Sequence, residues 1–183
     1  MYYLRVNHMK ILALVGSPRK KGNTDILIDT ILCACRRHKT EKIYVYDHKI
    51  SPCMDCRACQ KGNHSCRKND GMKEIYPRIQ KADLIIFGTP LYWYAPTGQM
   101  KLLIDRLRPF IASKKLKGKK AVIVVPAAEG PKACKAIVEM FEQSFDYLGM
   151  KLAGKILATA YEKGEVAKNA KELKKAHDLG VSL

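Results

Sequence analysis

Continuous apolar runs alternate along this chain with stretches in which apolar positions recur every three or four residues. Lys10 to Val15, Asp83 to Gly88 and Lys120 to Val125 have no polar face, the pattern of strands buried on both sides. Lys42 to Tyr46 and Lys155 to Ala160 read as two further strands. After the first strand, Ile26, Leu27, Thr30, Ile31 and Ala34 form a helical stripe. Asn23 or Thr24 can cap it, and Arg36-Arg37-His38 suit its C-terminal dipole. A second helix is predicted to begin near Asp70, a capping residue, with Pro77 a kink or early stop. Others are predicted over Thr97 to Leu107, Lys132 to Leu148 and Glu165 to Leu179.

Strands alternating one by one with helices argue for a parallel sheet covered on both faces. Right-handed crossovers leave few topologies, and the order 2-1-3-4-5 puts a ligand crevice at the carboxyl ends of strands 1 and 3. The loops after Val15 and Gly88 are therefore where chemistry is expected. A length of 183 residues fits one domain, taken as residues 9–183 with a cysteine-rich insertion at about 50–69. Met1 to His8 reads as an N-terminal extension, because a chain starting at Met9 would begin directly before the first strand.

The loop after the first strand, Gly16-Ser-Pro-Arg-Lys-Lys-Gly-Asn-Thr24, precedes a helix N-terminus, whose free N–H groups and dipole favour an anion. Ser17, Gly22, Asn23 and Thr24 bring backbone and hydroxyl or amide donors, and Arg19 adds charge and a fork of hydrogen bonds. It is neither a Walker A loop nor a G-x-G-x-x-G fingerprint, so one phosphate is the expected guest; the alternative is a polar surface loop with a helix cap. Across the crevice, Thr89-Pro90-Leu91-Tyr92-Trp93-Tyr94-Ala-Pro96 holds the only tryptophan and two tyrosines, a wall on which a flat ring could stack. Phosphate at one loop and a planar heterocycle at the other describe a mononucleotide.

Four cysteines fall within fourteen residues, at Cys53, Cys56, Cys59 and Cys66. Thiolates so dense can close around one inorganic centre, and three in a single run favour an iron-sulfur cluster over zinc, which usually takes two separated Cys-x2-4-Cys knuckles. Disulfides and free thiols are the other readings; seven cysteines is an odd total, and nothing N-terminal looks secretory. Gly62 and Asn63 would turn the chain back to Cys66. His64 reads as a solvent-facing loop residue rather than a ligand, Cys33 and Cys35 as small core or boundary residues, and Cys134 as a packed thiol.

The formal charge of +17 can attract nucleic acid, anionic membrane or an acidic protein. Its lysines are scattered, and no nucleic-acid-reading motif accompanies them, so nucleic acid is not expected as a partner. No apolar stretch reaches membrane-spanning length, so a cytoplasmic location and no membrane partner are expected.

Ser17-Pro-Arg19 with Asn23-Thr24, then Pro90-Leu-Tyr-Trp-Tyr94, Gly98-Gln-Met-Lys101 and Asp105-Arg106, resemble the FMN-binding loops of the NADPH-dependent FMN reductase group. The close cysteines after Ile50-Ser-Pro52 resemble the compact motif of the iron-sulfur flavoproteins within it. The resemblance implies a flavodoxin-like three-layer sandwich, FMN, a 4Fe-4S cluster, a homodimer or homotetramer, and NAD(P)H as a candidate donor. By analogy Ser17, Arg19, Asn23 and Thr24 hold the phosphate, and residues 90–94 line the isoalloxazine. Where many relatives follow the last cysteine with two acidic residues, this chain has Asn69-Asp70-Gly71-Met72. The expected function is electron transfer between cluster and FMN, with an acidic carrier such as a ferredoxin, and no residue is assigned as catalytic acid or base. The alternatives are an NAD(P)H-dependent FMN or quinone reductase without a cluster, and a basic zinc-containing binding module.

Overall fold

In the computed structural model, residues 8–183 are described. The extension expected over residues 1–8 lies, His8 apart, outside the described residues. Five strands, β1 (Lys10–Val15), β2 (Lys39–Tyr44), β3 (Leu84–Gly88), β4 (Lys120–Ala127) and β5 (Lys151–Thr159), form one all-parallel sheet in the order 2-1-3-4-5. That is the flavodoxin-like order, with its change of winding direction between β1 and β3.

The strand period of two splits each apolar run between two cores. Ile11, Ala13, Val15, Ile86 and Val124 face α1 (Asn23–Ala34) and α6 (Ala170–Ser182). Leu12, Leu14, Phe87, Ile123 and Val125 face the other side, against α2 (Met72–Lys81), α3 (Gly98–Asp105), α4 (Arg108–Ser113) and α5 (Lys135–Leu148). Because helices cover both faces, the central strands need no polar side, which is why they read as unbroken runs.

Several local expectations shift. β2 begins three residues before Lys42, since Lys39 pairs with Lys10, and it ends at Tyr44, where Val45–Asp47 turn as a short 3-10 segment. Pro77 does not stop α2, which runs on to Lys81 with the proline inside it. Neither Asn23 nor Thr24 caps α1: the cap is Gly22, and the Asn23 side chain is engaged elsewhere. Asp70 does accept the Met72 N–H (3.2 Å) at the start of α2. The helix from Thr97 ends at Asp105, and a separate helix, α4, follows with proline in its first turn, where no N–H partner is lost. Cys35 and Cys134 are buried as expected, whereas Cys33 is exposed.

Candidate functional site

The crevice is built by two loops that buried threonines hold together. β1 and β3 stay bonded to their last residues, Gly16 N–H donating to Gly88 O (2.7 Å). Immediately beyond, the Thr97 hydroxyl donates to Gly16 O (2.6 Å), and Thr97 N–H donates to the Thr89 hydroxyl (3.0 Å). Both threonines are fully buried, so the phosphate loop and the aromatic loop share one internal hinge pin. Gly16 is required there: a Cβ would lie 2.7 Å from Met100 Cβ.

At the start of α1 the first intrahelical bond is Ile26 N–H to Gly22 O (3.0 Å), which leaves the N–H groups of residues 23–25 without partners inside the helix. Asp25 reaches back to the Lys21 N–H (2.7 Å) and is itself held by Lys42 Nζ (2.8 Å) and the Tyr44 hydroxyl (3.0 Å). Burial would push its carboxyl up; the hydrogen bonds from Lys42, Lys21 and Tyr44 outweigh this and hold it below the ordinary carboxylate range. The Asp25 ladder thus fixes the loop beside the cleft that Asn23 and Thr24 line. Asn23 ties that cleft to the chain after β5, its amide donating to Glu162 O (2.8 Å) and accepting from Val166 N–H (3.1 Å).

Ser17, Arg19, Gly22, Asn23 and Thr24 line one side of a single cleft, and Pro90, Leu91 and Tyr92 line another. Its remaining wall, Pro126 to Ala128 with Ala160, Tyr161 and Lys163, was not anticipated from the sequence. These residues form or follow the C-terminal ends of β4 and β5, and the only available signal was topological: strands 4 and 5 end on the same edge as strands 1 and 3. Of the remaining residues expected at the crevice, Thr89 lies buried beneath it, and Trp93 and Tyr94 are not among those lining it. The aromatic pair forms the tip of a two-residue turn, with Tyr92 and Ala95 exchanging both backbone hydrogen bonds (2.9 and 3.0 Å). Trp93 (φ 50°) and Tyr94 (φ 60°) occupy the left-handed region that such turns normally give to Asn-Gly. Trp93 is 95% exposed.

Cys53, Cys56, Cys59 and Cys66 line one pocket together with Tyr76, Arg106 and Arg108. All are free thiols. Gly62 (φ 59°) turns the loop, and Asn63 Oδ1 accepts from the Ser65 N–H (3.2 Å) and hydroxyl (2.7 Å). The neck of the loop is closed by a buried ion pair. Arg106 donates to Asp70 (2.6 and 3.1 Å) and to Ser51 O (2.7 Å), while Asp70 accepts the Ser51 N–H (3.0 Å). The other Arg106 terminal nitrogen points at Cys66 Sγ (3.4 Å). Burial would raise the Asp70 carboxyl; Arg106 and the two N–H groups more than reverse that, so it stays ionised. Burial, with the neighbouring Cys66, pushes the Cys59 thiol up.

Two observations test whether a cluster fits. All four thiols share one pocket walled by arginines, a setting matched to an anionic thiolate centre. Among the described residues, buried side-chain polar atoms lacking partners include Arg106 Nε, Arg108 Nε and His64 Nδ1, all in the cysteine loop or its pocket wall. Among those same residues, no group of three His, Cys, Asp or Glu side chains is drawn together tightly enough to hold a single metal ion. The donor set fits a cluster chemically, without being closed around one point.

A helix-opening loop after β1, an aromatic loop after β3 and this sheet order make a flavodoxin-like fold with a cleft where the winding changes direction. The chain belongs to the NADPH-dependent FMN reductase family, whose model matches residues 9–163, and is therefore a flavin-dependent oxidoreductase. A Bacillus subtilis protein named as an NAD(P)H-dependent FMN-containing oxidoreductase, YwqN, is 28% identical over 93% of this chain and 96% of its own. The iron-sulfur flavoprotein MJ1083 of Methanocaldococcus jannaschii is 36% identical, over 61% of this chain and 58% of its own. The chain thus spans little more than half the length of that relative. Among solved structures, the Trp repressor binding protein from Bacillus subtilis superposes with a TM-score of 0.71 at 27% identity, covering 93% of this chain and 98% of that one. No helix among the described residues is long and apolar enough to cross a membrane.

Proposed function

We propose that this oxidoreductase holds FMN in the cleft between the β1 and β3 loops and a 4Fe-4S cluster at Cys53, Cys56, Cys59 and Cys66. The observation that carries this reading is that two prepared sites flank one helix. The N-terminus of α3 is capped by Thr97, the residue directly after the aromatic loop, and Arg106, one residue past its end, reaches the cysteine pocket. At about 1.5 Å per residue the eight residues of α3 are about 12 Å long, so the loop at its start and the clamp at its end belong to one short rigid element.

Together the two groups would supply two-electron chemistry at the flavin and one-electron chemistry at the cluster. The protein's own part is positional. The N–H groups at the start of α1, with Ser17, Thr24 and Arg19, take the phosphate, and Lys163 adds charge from the opposite wall. Pro90, Leu91 and Tyr92 present a rigid, partly apolar surface for the ring. Four thiolates take the cluster, and the arginine wall balances its negative charge. NAD(P)H is the candidate electron donor, an acidic ferredoxin-type carrier the candidate partner, and a homodimer or homotetramer the candidate assembly. A cytoplasmic location accords with cysteines kept reduced.

A second reading, an NAD(P)H-dependent FMN or quinone reductase without a cluster, is favoured by a specific observation. The relative that matches nearly end to end is named for FMN and NAD(P)H, whereas the match to MJ1083 covers 61% of the chain. Anaerobic purification, FMN quantitation, and iron and acid-labile sulfide analysis separate the two. About four of each per chain, with broad visible absorption bleached by dithionite, is the expected result. Bound FMN with neither iron nor sulfide after anaerobic reconstitution would establish the second reading.

A further inference from the structure

We propose that Arg106 is the positioning residue of the cysteine centre: it fixes Cys66 and, through its N–H···S contact, raises the reduction potential of the cluster held there. This rests on the cluster reading above.

The guanidinium is 1% exposed, whereas no other lysine or arginine among the described residues is buried. Taking such a charge out of water costs several kcal/mol unless it is paired and its donors are used. One side of the fork is spent on Asp70 and Ser51 O, which closes the two ends of the cysteine loop. That pairing would explain a structural arginine completely, were it not for the rest of the group. The second terminal nitrogen divides its donors between Asp70 (3.1 Å) and Cys66 Sγ (3.4 Å), and Nε has no partner. Arg108, another wall residue, also leaves its Nε unpartnered while pairing with Asp55 (2.8 Å). Buried donors are rarely left idle, so spare donors on two arginines around four thiols indicate acceptors that belong inside the pocket.

The sign of the effect follows from charge. A reduced thiolate-ligated cluster is one unit more negative than the oxidised one, and N–H donors on sulfur stabilise the electron-richer state. Asp70 neutralises much of the guanidinium's net charge, so the directed hydrogen bond, rather than the bare cation, is the main lever. Tyr76, another residue of the pocket wall, steadies the geometry, its hydroxyl donating to Arg106 O (2.7 Å).

The test compares the anaerobically reconstituted full chain with Arg106→Lys, which keeps the charge but loses the fork, and with Arg106→Gln/Asp70→Asn, which removes both charges together. The readouts are FMN content, iron and sulfide content, and the cluster midpoint potential from a redox titration followed by electron paramagnetic resonance. In both variants FMN should stay at parent stoichiometry while the one-electron reduction equilibrium becomes about tenfold less favourable, a fall of about 59 mV. Retention of FMN with loss of iron would support the positioning half of the proposal. An unchanged potential with full iron overturns it, as does loss of FMN and iron together in both variants, which would mark Arg106 as a fold residue only. A parent chain that takes up no iron or sulfide refutes the cluster reading itself, and does so before any variant is made.

Discussion

Asp25 shows how one side chain connects the fold to the nucleotide cleft. Its side chain is 2% exposed and accepts from Lys42, Tyr44 and the Lys21 N–H. Asp25→Asn is expected to cost about 2 kcal/mol at neutral pH, the scale of a hydrogen bond to a buried charged group, and to weaken FMN binding by loosening residues 19–22. Because the native carboxyl titrates below its unfolded value, the stability it contributes is complete above about pH 4 and lost as pH falls through the native value. Denaturant midpoints measured from about pH 2 to 7 should therefore show parent and variant converging at the acid end. A constant gap would mean that charge is not the cause. The Trp93-Tyr94 turn carries strain instead. Two aromatic residues in the left-handed region cost about 1 to 3 kcal/mol each. Trp93→Asn with Tyr94→Gly should raise thermal stability and leave FMN affinity unchanged, since neither side chain lines the cleft, and calorimetry and fluorescence titration read the two separately. The sequence displayed these aromatics clearly. It did not display that the chain bends so as to hold two of the three outside the cleft lining, because backbone strain leaves no mark in composition.

Among the elements, the pairing of α1 with α6 explains an otherwise costly residue. Gly180 lies inside α6, where glycine is about 1 kcal/mol worse than alanine. A Cβ there would stand 2.5 Å from Ile31 O and 2.7 Å from Ala34 Cβ, so the helices approach closely only because it is absent. Gly180→Ala should accordingly destabilise by about 1 to 3 kcal/mol in spite of its better propensity, visible as a lowered urea midpoint. Strands β1, β3 and β4 were legible because burial on both faces writes itself as unbroken apolar sequence. Strand β5 was read short, since Lys151 to Lys155 alternate exposed and half-buried positions along an edge. Helix α4 was missed because Pro109 so near Leu107 reads as an ending, although proline is well tolerated in a first turn. The cysteine loop was visible as spacing, and its clamp was not: Arg106 and Asp70 lie 36 positions apart and meet only through the tertiary fold.

Over the whole molecule, a cleft lies at the edge of the sheet where the order foretold from alternating elements put one, yet six of its fourteen lining residues come from the ends of β4 and β5. A net charge of +17 is distributed rather than focused: β1, β2, β4 and β5 each begin with lysine, at the end of the sheet remote from the cleft. Arg19, Lys20, Lys21 and Lys163 carry positive charge to the cleft end as well. An acidic carrier should then associate by electrostatic steering, and its electron-transfer rate should fall steeply between about 0.01 and 0.5 M salt. A stopped-flow rate indifferent to salt would rule out a charge-guided encounter. The clamp between Arg106 and Asp70 bears on the protein's durability. It secures both ends of the cysteine loop with bonds that owe nothing to iron, so damage by air to an inorganic guest would leave the receptacle standing. A centre held there would be a replaceable fuse, and the polypeptide could outlive many of them.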